Sequence, residues 1–554
     1  MRGNTADKSL LRQMRKWIVP YTLSTIMVAC RNFLITWLTA SIGSRVLNLV
    51  SEGSTEDFLP QMALTALFIA AFLVFDTTGL FWQSMTLHGI QNDLRSILYG
   101  KVLGARYDKV RAMGQKGELL SRLNSDAETV VSILGSGILM PLMFLISGIG
   151  ATVTIAAIRW QLCVLIYGAG FLCWGIQVFF IRRERSTIKL LRKNKEEGLG
   201  ICGENFQNGL TIRLCGLADA FEEKVLGNLT GFEKISRRLA LQKTGEGLGG
   251  SALQYLQSVG LLFLGLFLYQ RGQLALGDIV MIYQMAALIT TMITMTSSTY
   301  AAVQSWRVGF ARLHDILDLE EETDAAGARD LTFDGKAGEG ILARDIRCAL
   351  GEVTIHEDLN LALGSRGIYV MAGESGKGKT TFFRLLTGIY PYGAGELRLF
   401  GHERREYSLR SLRRQIVYMT QEDALFQGTI RDNILWRSHA TDAEILELLG
   451  RLGLSEWVGG MEKGLDTCIS DGGKEFSGGQ RKCLLLARTL LEKAPVYLLD
   501  EALAGVDEGH CELIRRELTS VSENALVVVI AHDRHIIGDW VEKGAGLLEI
   551  GGAL

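Results

Sequence analysis

Proline is scarce in this chain, with 5 residues in 554. That excludes collagen-like repeats and proline-rich linkers, and it permits long uninterrupted helices. An excess of one charge is also missing. The 58 Lys and Arg nearly balance the 60 Asp and Glu, leaving a net charge of −2, so no global electrostatic footprint for nucleic acid exists and no nucleic-acid partner is expected. The 9 cysteines, scattered from Cys30 to Cys511, contain no C-x-x-C pair. A disulfide framework or zinc site is therefore not expected, and a reducing compartment fits. Only 21% of residues are charged against 48% apolar, which excludes a disordered scaffold. Glycine, by contrast, is abundant at 63, and the apolar residues are gathered in long runs.

Those runs fill the first 320 residues or so. They predict six membrane spans, at about 21–50, 58–87, 129–158, 161–182, 247–270 and 278–303. A bilayer core needs only ~20 helical residues, so the surplus should project beyond it as continuous helix. The first run follows Lys8, Arg12, Arg15 and Lys16. It lacks a small-residue cleavage site and is too long for a signal peptide, so it should stay in the mature protein. The stretches 91–125 and 183–240 are rich in Lys and Arg, as in Arg182-Arg183-Glu184-Arg185, whereas the intervening loops are short. Positive charge stays on the cytoplasmic side, which places the N-terminus, both long loops and the C-terminal half there. The acidic, Gly-containing stretch 321–340 marks a linker between a membrane domain, 1–320, and a soluble domain, 341–554. Arg31 and Asp76 interrupt the first two spans in the cytoplasmic half of the bilayer. Charges at that depth either pair between helices or face a cavity, and both readings stand. The Thr290–Thr299 run, with Met281 and Met285, suits either an amphipathic cargo or helix packing.

The soluble half carries the chemistry. A short apolar run, Ile368 to Met371, meets G-x-x-x-x-G-K-T, from Gly373 through Ser375, Gly376, Gly378, Lys379 and Thr380 to Thr381. Glycines let successive N–H groups turn toward phosphate oxygens, and the following helix presents its positive end to the same anion. Lys379 should reach the β- and γ-phosphates, and the Thr380 hydroxyl should sit on Mg²⁺. A second apolar run, Val496 to Leu499, ends in Asp500 and Glu501. Asp500 suits the Mg²⁺ shell, and Glu501 suits polarisation of the attacking water. A third, Ala525 to Ala531, delivers His532, which could contact the γ-phosphate. Between them Ser477, Gly478 and Gly479 precede a helix-forming run. That is a second anion-binding helix start, which one phosphate site does not need.

Ser477-Gly478-Gly479-Gln480, with the phosphate loop before it and Asp500-Glu501 after it, resembles the signature of ATP-binding cassette (ABC) proteins. In the same order, Tyr418 to Ile434 looks like their Q-loop segment with Gln421 as its glutamine, Ala504 to Asp507 their D-loop, and His532 their switch histidine. Lys116 to Val130 and Ala311 to Asp318 resemble parts of exporter membrane domains. The chain is similar, over nearly its whole length, to exporter-type ABC half-transporters. The resemblance implies an all-α six-span transmembrane domain followed by an α/β P-loop ATPase domain, with ATP and Mg²⁺ as cofactors. It implies Thr380, Gln421 and Asp500 at the metal, Glu501, His532 and Gln421 in catalysis, and a second half-transporter, identical or not, whose signature completes each ATP site. It further implies ATP-driven export of an amphipathic small molecule, lipid or peptide by alternating access, from a bacterial inner or plasma membrane, with coupling through short helices near 124–127 and 204–212. Two alternatives are an exporter-fold importer and a membrane-anchored ATPase that regulates a partner. Because the chain opens directly on the membrane half, no peptidase domain is expected before it.

The departures are few. Met419-Thr420 stands where the family has Val-Pro, Ser470-Asp471 where it has Gly-Glu, and Asp533 where it has Arg. None removes a reacting group. The adenine-stacking aromatic aligns with Leu350, which offers no π face. A base stack is worth ~1–3 kcal/mol, so nucleotide binding should be weaker and less base-selective than the family norm. Leu350→Tyr is accordingly expected to tighten ATP binding about tenfold or more, and an unchanged affinity by equilibrium titration would remove Leu350 from the base site.

Overall fold

The computed structural model describes residues 5–52, 58–114, 116–325, 327–332, 339–350 and 353–550. They form two compact units. One comprises 1–103 and 115–318, the other 104–114 and 319–554.

The first unit is helical throughout, as scarce proline allows. Thr5–Glu52 carries the first predicted span, with Pro20 inside it, and Phe58–Gly104 the second, running on as helix 17 residues beyond the predicted 58–87. The third span begins in Ala127–Ser132 and the π-helical Ile133–Leu139 and continues into Met140–Gln207, which also carries the fourth and whose helical backbone is broken by a turn at Arg159 (φ −161°, ψ 103°). Ala218–Gln270 carries the fifth. Leu276–Thr294 carries the sixth, and Thr296–Leu317 continues it. Five of these helices are long and apolar enough to cross a membrane, one of them holding two spans across the Arg159 turn. Ile155, Ile166, Met285 and Ile289 are fully buried at the centre of this unit. Large apolar side chains such as Leu67, Phe68, Phe81, Phe171 and Phe263 instead point outward, a surface that suits hydrocarbon and would be a liability in water.

Arg31 and Asp76 meet here as an ion pair, Nε to Oδ1 3.1 Å. In the Thr/Ser run, Thr290 is buried and bonds Gln257 of the fifth-span helix at 3.1 Å, while Thr291 donates to the Ala287 carbonyl.

The second unit is built on five parallel strands, ordered Gly546–Glu549, Gly367–Ala372, Leu526–Ile530, Val496–Asp500 and Ile416–Met419. Val496–Asp500 and Leu526–Ile530 are buried at every residue, as strands covered on both faces must be. One face packs against the helix Gly478–Leu491 through Leu484, Leu486 and Leu490. The other covers Phe382, Phe383 and Leu386 of the helix Lys379–Leu386 and meets an antiparallel sheet of Glu339–Leu350, Val353–Gly364, Ala394–Leu399 and His402–Glu403. Leu350 ends its strand opposite Val353; its side chain lies outside the described residues, as do 333–338 of the predicted linker.

The membrane ion pair gives a test. Polar pairs between spans are worth ~0.6–1.7 kcal/mol. A double-mutant cycle of Arg31→Ala and Asp76→Ala, read by unfolding in detergent, is expected to return a coupling of about 1 kcal/mol. Additive losses would mean that the two charges act separately.

Candidate nucleotide site

Register along the parallel sheet decides what meets at its carboxyl edge. Ile530 lies opposite both Met371 and Asp500, and Met419 opposite Leu499. The residues that follow these strand ends are therefore neighbours: the phosphate loop, Glu501, His532 and Gln421.

The loop after Ala372 curls through positive φ at Gly373 (141°), Gly376 (85°) and Gly378 (89°). A Cβ on Gly378 would come within 2.5 Å of the His356 ring, and one on Gly373 within 2.5 Å of the Ile550 carbonyl, so both positions need glycine for space as well as for backbone angle. Ser375 stays exposed on the loop, Thr380 is half-buried and Thr381 is buried. Lys379 is buried, and its Nζ donates to the Gly373 and Glu374 carbonyls at 2.7 and 2.8 Å. Burial pulls its pKa down, and Asp500 and Glu501 push back. His356 reaches the Gly378 carbonyl from the neighbouring sheet, Nε2 to O 3.1 Å, with burial lowering its pKa.

Asp500 is 1% exposed. Its Oδ2 accepts from the Tyr418 hydroxyl at 3.2 Å, and its Oδ1 is buried without a hydrogen-bond partner. Burial raises its pKa, the Thr380 and Tyr418 hydroxyls oppose that, and the neighbouring Glu501 charge adds to it. A desolvated carboxylate with an unsatisfied oxygen beside a threonine hydroxyl is a fit for a hard divalent cation. Thr380 and Asp500 are the residues that would offer oxygens to Mg²⁺ here.

Glu501 sits in the left-handed region at φ 54°, a conformation that costs a non-glycine residue ~1–3 kcal/mol and gathers at functional sites. Both carboxylate oxygens are engaged. Oε2 accepts from Gln421 Nε2 at 2.9 Å, and Oε1 lies 3.2 Å from His532 Nε2. The Gln421 amide nitrogen thus faces Glu501.

Ser477 caps the helix Gly478–Leu491. Its hydroxyl accepts from the Gln480 N–H at 3.2 Å, and the Gln480 side chain accepts from the Ser477 N–H at 2.9 Å. Ser477 and Gly478 are exposed and Gly479 is half-buried. Among the described residues, no hydrogen bond joins this helix start to the phosphate loop of its own chain.

Two features escape sequence reasoning. Lys482, on the helix that Ser477 caps, donates from Nζ to the Glu501 carbonyl at 2.7 Å. It is half-buried, burial lowers its pKa and Glu501 raises it. A lysine in a basic helix has no sequence signal for such a contact. The second concerns the polar stretch between the second and third spans. The expected coupling segment 124–127 falls in a π-helical stretch, Arg122–Asp126, and the start of the next helix, within the membrane unit. Another short helix between these spans, Tyr107–Ala112, belongs to the nucleotide unit. There the Tyr107 and Tyr390 rings lie 6.3 Å apart, and Arg111 and Arg384 both donate to the Tyr390 hydroxyl, at 3.4 and 3.1 Å. The expected segment 204–212 spans the end of Met140–Gln207 and most of Gly209–Leu214.

Comparison with known proteins agrees with this geometry. Residues 18–293 match the ABC transporter transmembrane region, and residues 356–504 match the ABC transporter family model. The ATP-dependent lipid A-core flippases of Escherichia coli K12 and Shigella flexneri are 28% identical over 457 residues, covering 79% of this chain and 75% of theirs. A solved structure of a bacterial Atm1-family ABC exporter with ATP bound superposes with a TM-score of 0.77 at 16% identity, over 97% of this chain and 94% of that one. Six helical spans, a phosphate loop beside Asp500-Glu501 and a capped Ser-Gly-Gly-Gln helix thus belong together: this integral membrane protein is an exporter-type half-transporter of the ATP-binding cassette family, an ATPase coupled to transport.

Proposed function

We propose that the chain pairs with a second half-transporter, identical or not, and exports an amphipathic cargo such as a lipid by alternating access. The observation that carries the catalytic part is the triple meeting of Gln421, Glu501 and His532 at one sheet edge. In this reading Gly373, Ser375, Gly376, Gly378, Lys379 and Thr381 hold the phosphates of ATP. Thr380, Asp500 and Gln421 hold Mg²⁺, which when bound neutralises charge developing on the phosphates. Glu501 orients the attacking water and takes up its proton. Gln421 and His532 fix the carboxylate, and His532 also reaches the γ-phosphate. The exposed Ser477–Gln480 helix start has no phosphate of its own to serve, which supports its docking on the ATP of the partner chain. Leu350 would lie under the adenine.

The membrane domain is taken as 1–320 and the nucleotide-binding domain as 341–554, joined by 321–340, with the latter in the cytosol by the distribution of Lys and Arg in the loops. The flippase relatives support a lipid-class cargo and a bacterial inner membrane.

Lys482 is a positioning residue in the same reading. It ties the signature helix to the strained backbone of Glu501, so a shift of that helix would be felt at the general base.

Three outcomes follow. In lipid nanodiscs, ATP hydrolysis should rise when an amphipathic solute is added, and Glu501→Gln should cut turnover ~10²–10⁴-fold while ATP-driven closure persists; near-normal hydrolysis by Glu501→Gln would refute the assignment. Lys482→Met should lower kcat about tenfold, the scale of a charge-assisted hydrogen bond, with KM for ATP unchanged and partial recovery in Lys482→Gln. A loss of thermal stability with kcat intact would leave Lys482 a packing residue only.

A further inference from the structure

The helices Met140–Gln207 and Ala218–Gln270 flank an open groove away from the nucleotide site. It measures about 460 Å³ and is lined by Arg183, Lys234, Arg237 and Arg238 together with Phe180 and Leu241. Lys234, Arg237, Arg238 and Leu241 stand at i, i+3, i+4 and i+7, one face of their helix, while Phe180 and Arg183 stand at i and i+3 of the other. All four cationic side chains are exposed. None of them takes part in an ion pair or side-chain hydrogen bond among the described residues. No carboxylate lines the groove, and Glu184, next to Arg183, is buried away from it.

Four like charges along one groove repel each other, and an anion between them would relieve that repulsion. Depth in the membrane narrows what the anion is. The apolar run of the fourth span, 161–182, ends at Arg182-Arg183. Phe180 is still inside that run, and Phe179 beside it is 61% exposed, with the two rings edge to face at 5.5 Å. Leu241 lies six residues before the fifth span, ~9 Å along a helix, and is 68% exposed. The groove therefore grades from apolar at the bilayer side to cationic at the cytosolic side. Free phosphate has no use for the apolar end. An anionic phospholipid matches both ends, phosphate on the arginines and acyl chain along the phenylalanines. Basic pockets between helices at this level are the usual seat of such headgroups.

We propose that Arg183, Lys234, Arg237 and Arg238 form a binding site for the headgroup of an anionic phospholipid of the inner leaflet, separate from the nucleotide site.

The test uses the full chain in nanodiscs of phosphatidylcholine and dioleoylphosphatidylglycerol, with the lipid retained after detergent extraction counted by mass spectrometry of the intact protein. Wild type is expected to keep phosphatidylglycerol over phosphatidylcholine. Arg183→Gln/Arg237→Gln/Arg238→Gln should lower that preference about tenfold or more, since each basic residue near the surface contributes to anionic-lipid binding. Arg192→Gln/Lys193→Gln/Lys195→Gln, which removes as much charge outside the groove, should leave the preference as it is. Equal loss in both triple variants, or none in the first, overturns the site. So does a wild type without preference, a result that needs no variant to fold. Displacement of the phosphatidylglycerol by millimolar inorganic phosphate would make it a general anion site and overturn the lipid assignment.

Discussion

The ladder of the parallel sheet is the constraint on which the nucleotide unit depends. Ile530 pairs with Met371 on one side and Asp500 on the other. A slip of one residue would turn each side chain to the opposite face, sending Asp500 out of its buried niche and His532 away from Glu501. Two apolar cores hold the register, one under each face. Apart from Tyr497 and Asp500, the two five-residue strands carry only aliphatic side chains, so a shifted alignment would expose apolar surface or bury polar groups. The chemistry at its edge is positioned by packing that takes no part in it.

Burial also sets the electrostatics there. Asp500 and Lys379 are both desolvated, and their pKa values move in opposite directions, up for the acid and down for the base. Each shift marks a charged form lacking its full set of partners within the protein. Tyr418 shows the same pressure, its hydroxyl held far above the ordinary phenol range by burial and by Asp500. A triphosphate with a divalent cation supplies the complementary charges at one point, so binding and neutralisation coincide.

Much of this was legible in the residues. Glycine spacing in the phosphate loop, four apolar residues before Asp500-Glu501 and the capped Ser477 each have a local cause and survive translation into structure. The span count was legible for the same reason, because the apolar runs are far longer than any soluble strand or helix needs. Contacts that depend on tertiary approach were not. Nothing local says that Lys482 reaches the Glu501 carbonyl, or that Tyr107 packs with Tyr390. The left-handed backbone of Glu501 is likewise imposed from outside, since glutamate has no preference for it.

The turn at Arg159 leaves the rest of its helix, from Trp160 to Gln207, without a further break in its backbone angles. Those 48 residues make a rod ~72 Å long at 1.5 Å per residue. A rotation of about 5° at the turn would displace the far end by about 6 Å, more than one helical pitch. Geometry of this kind trades angle for distance, so the end at the turn can adjust slightly while the far tip near Gln207 moves by the length of a side chain.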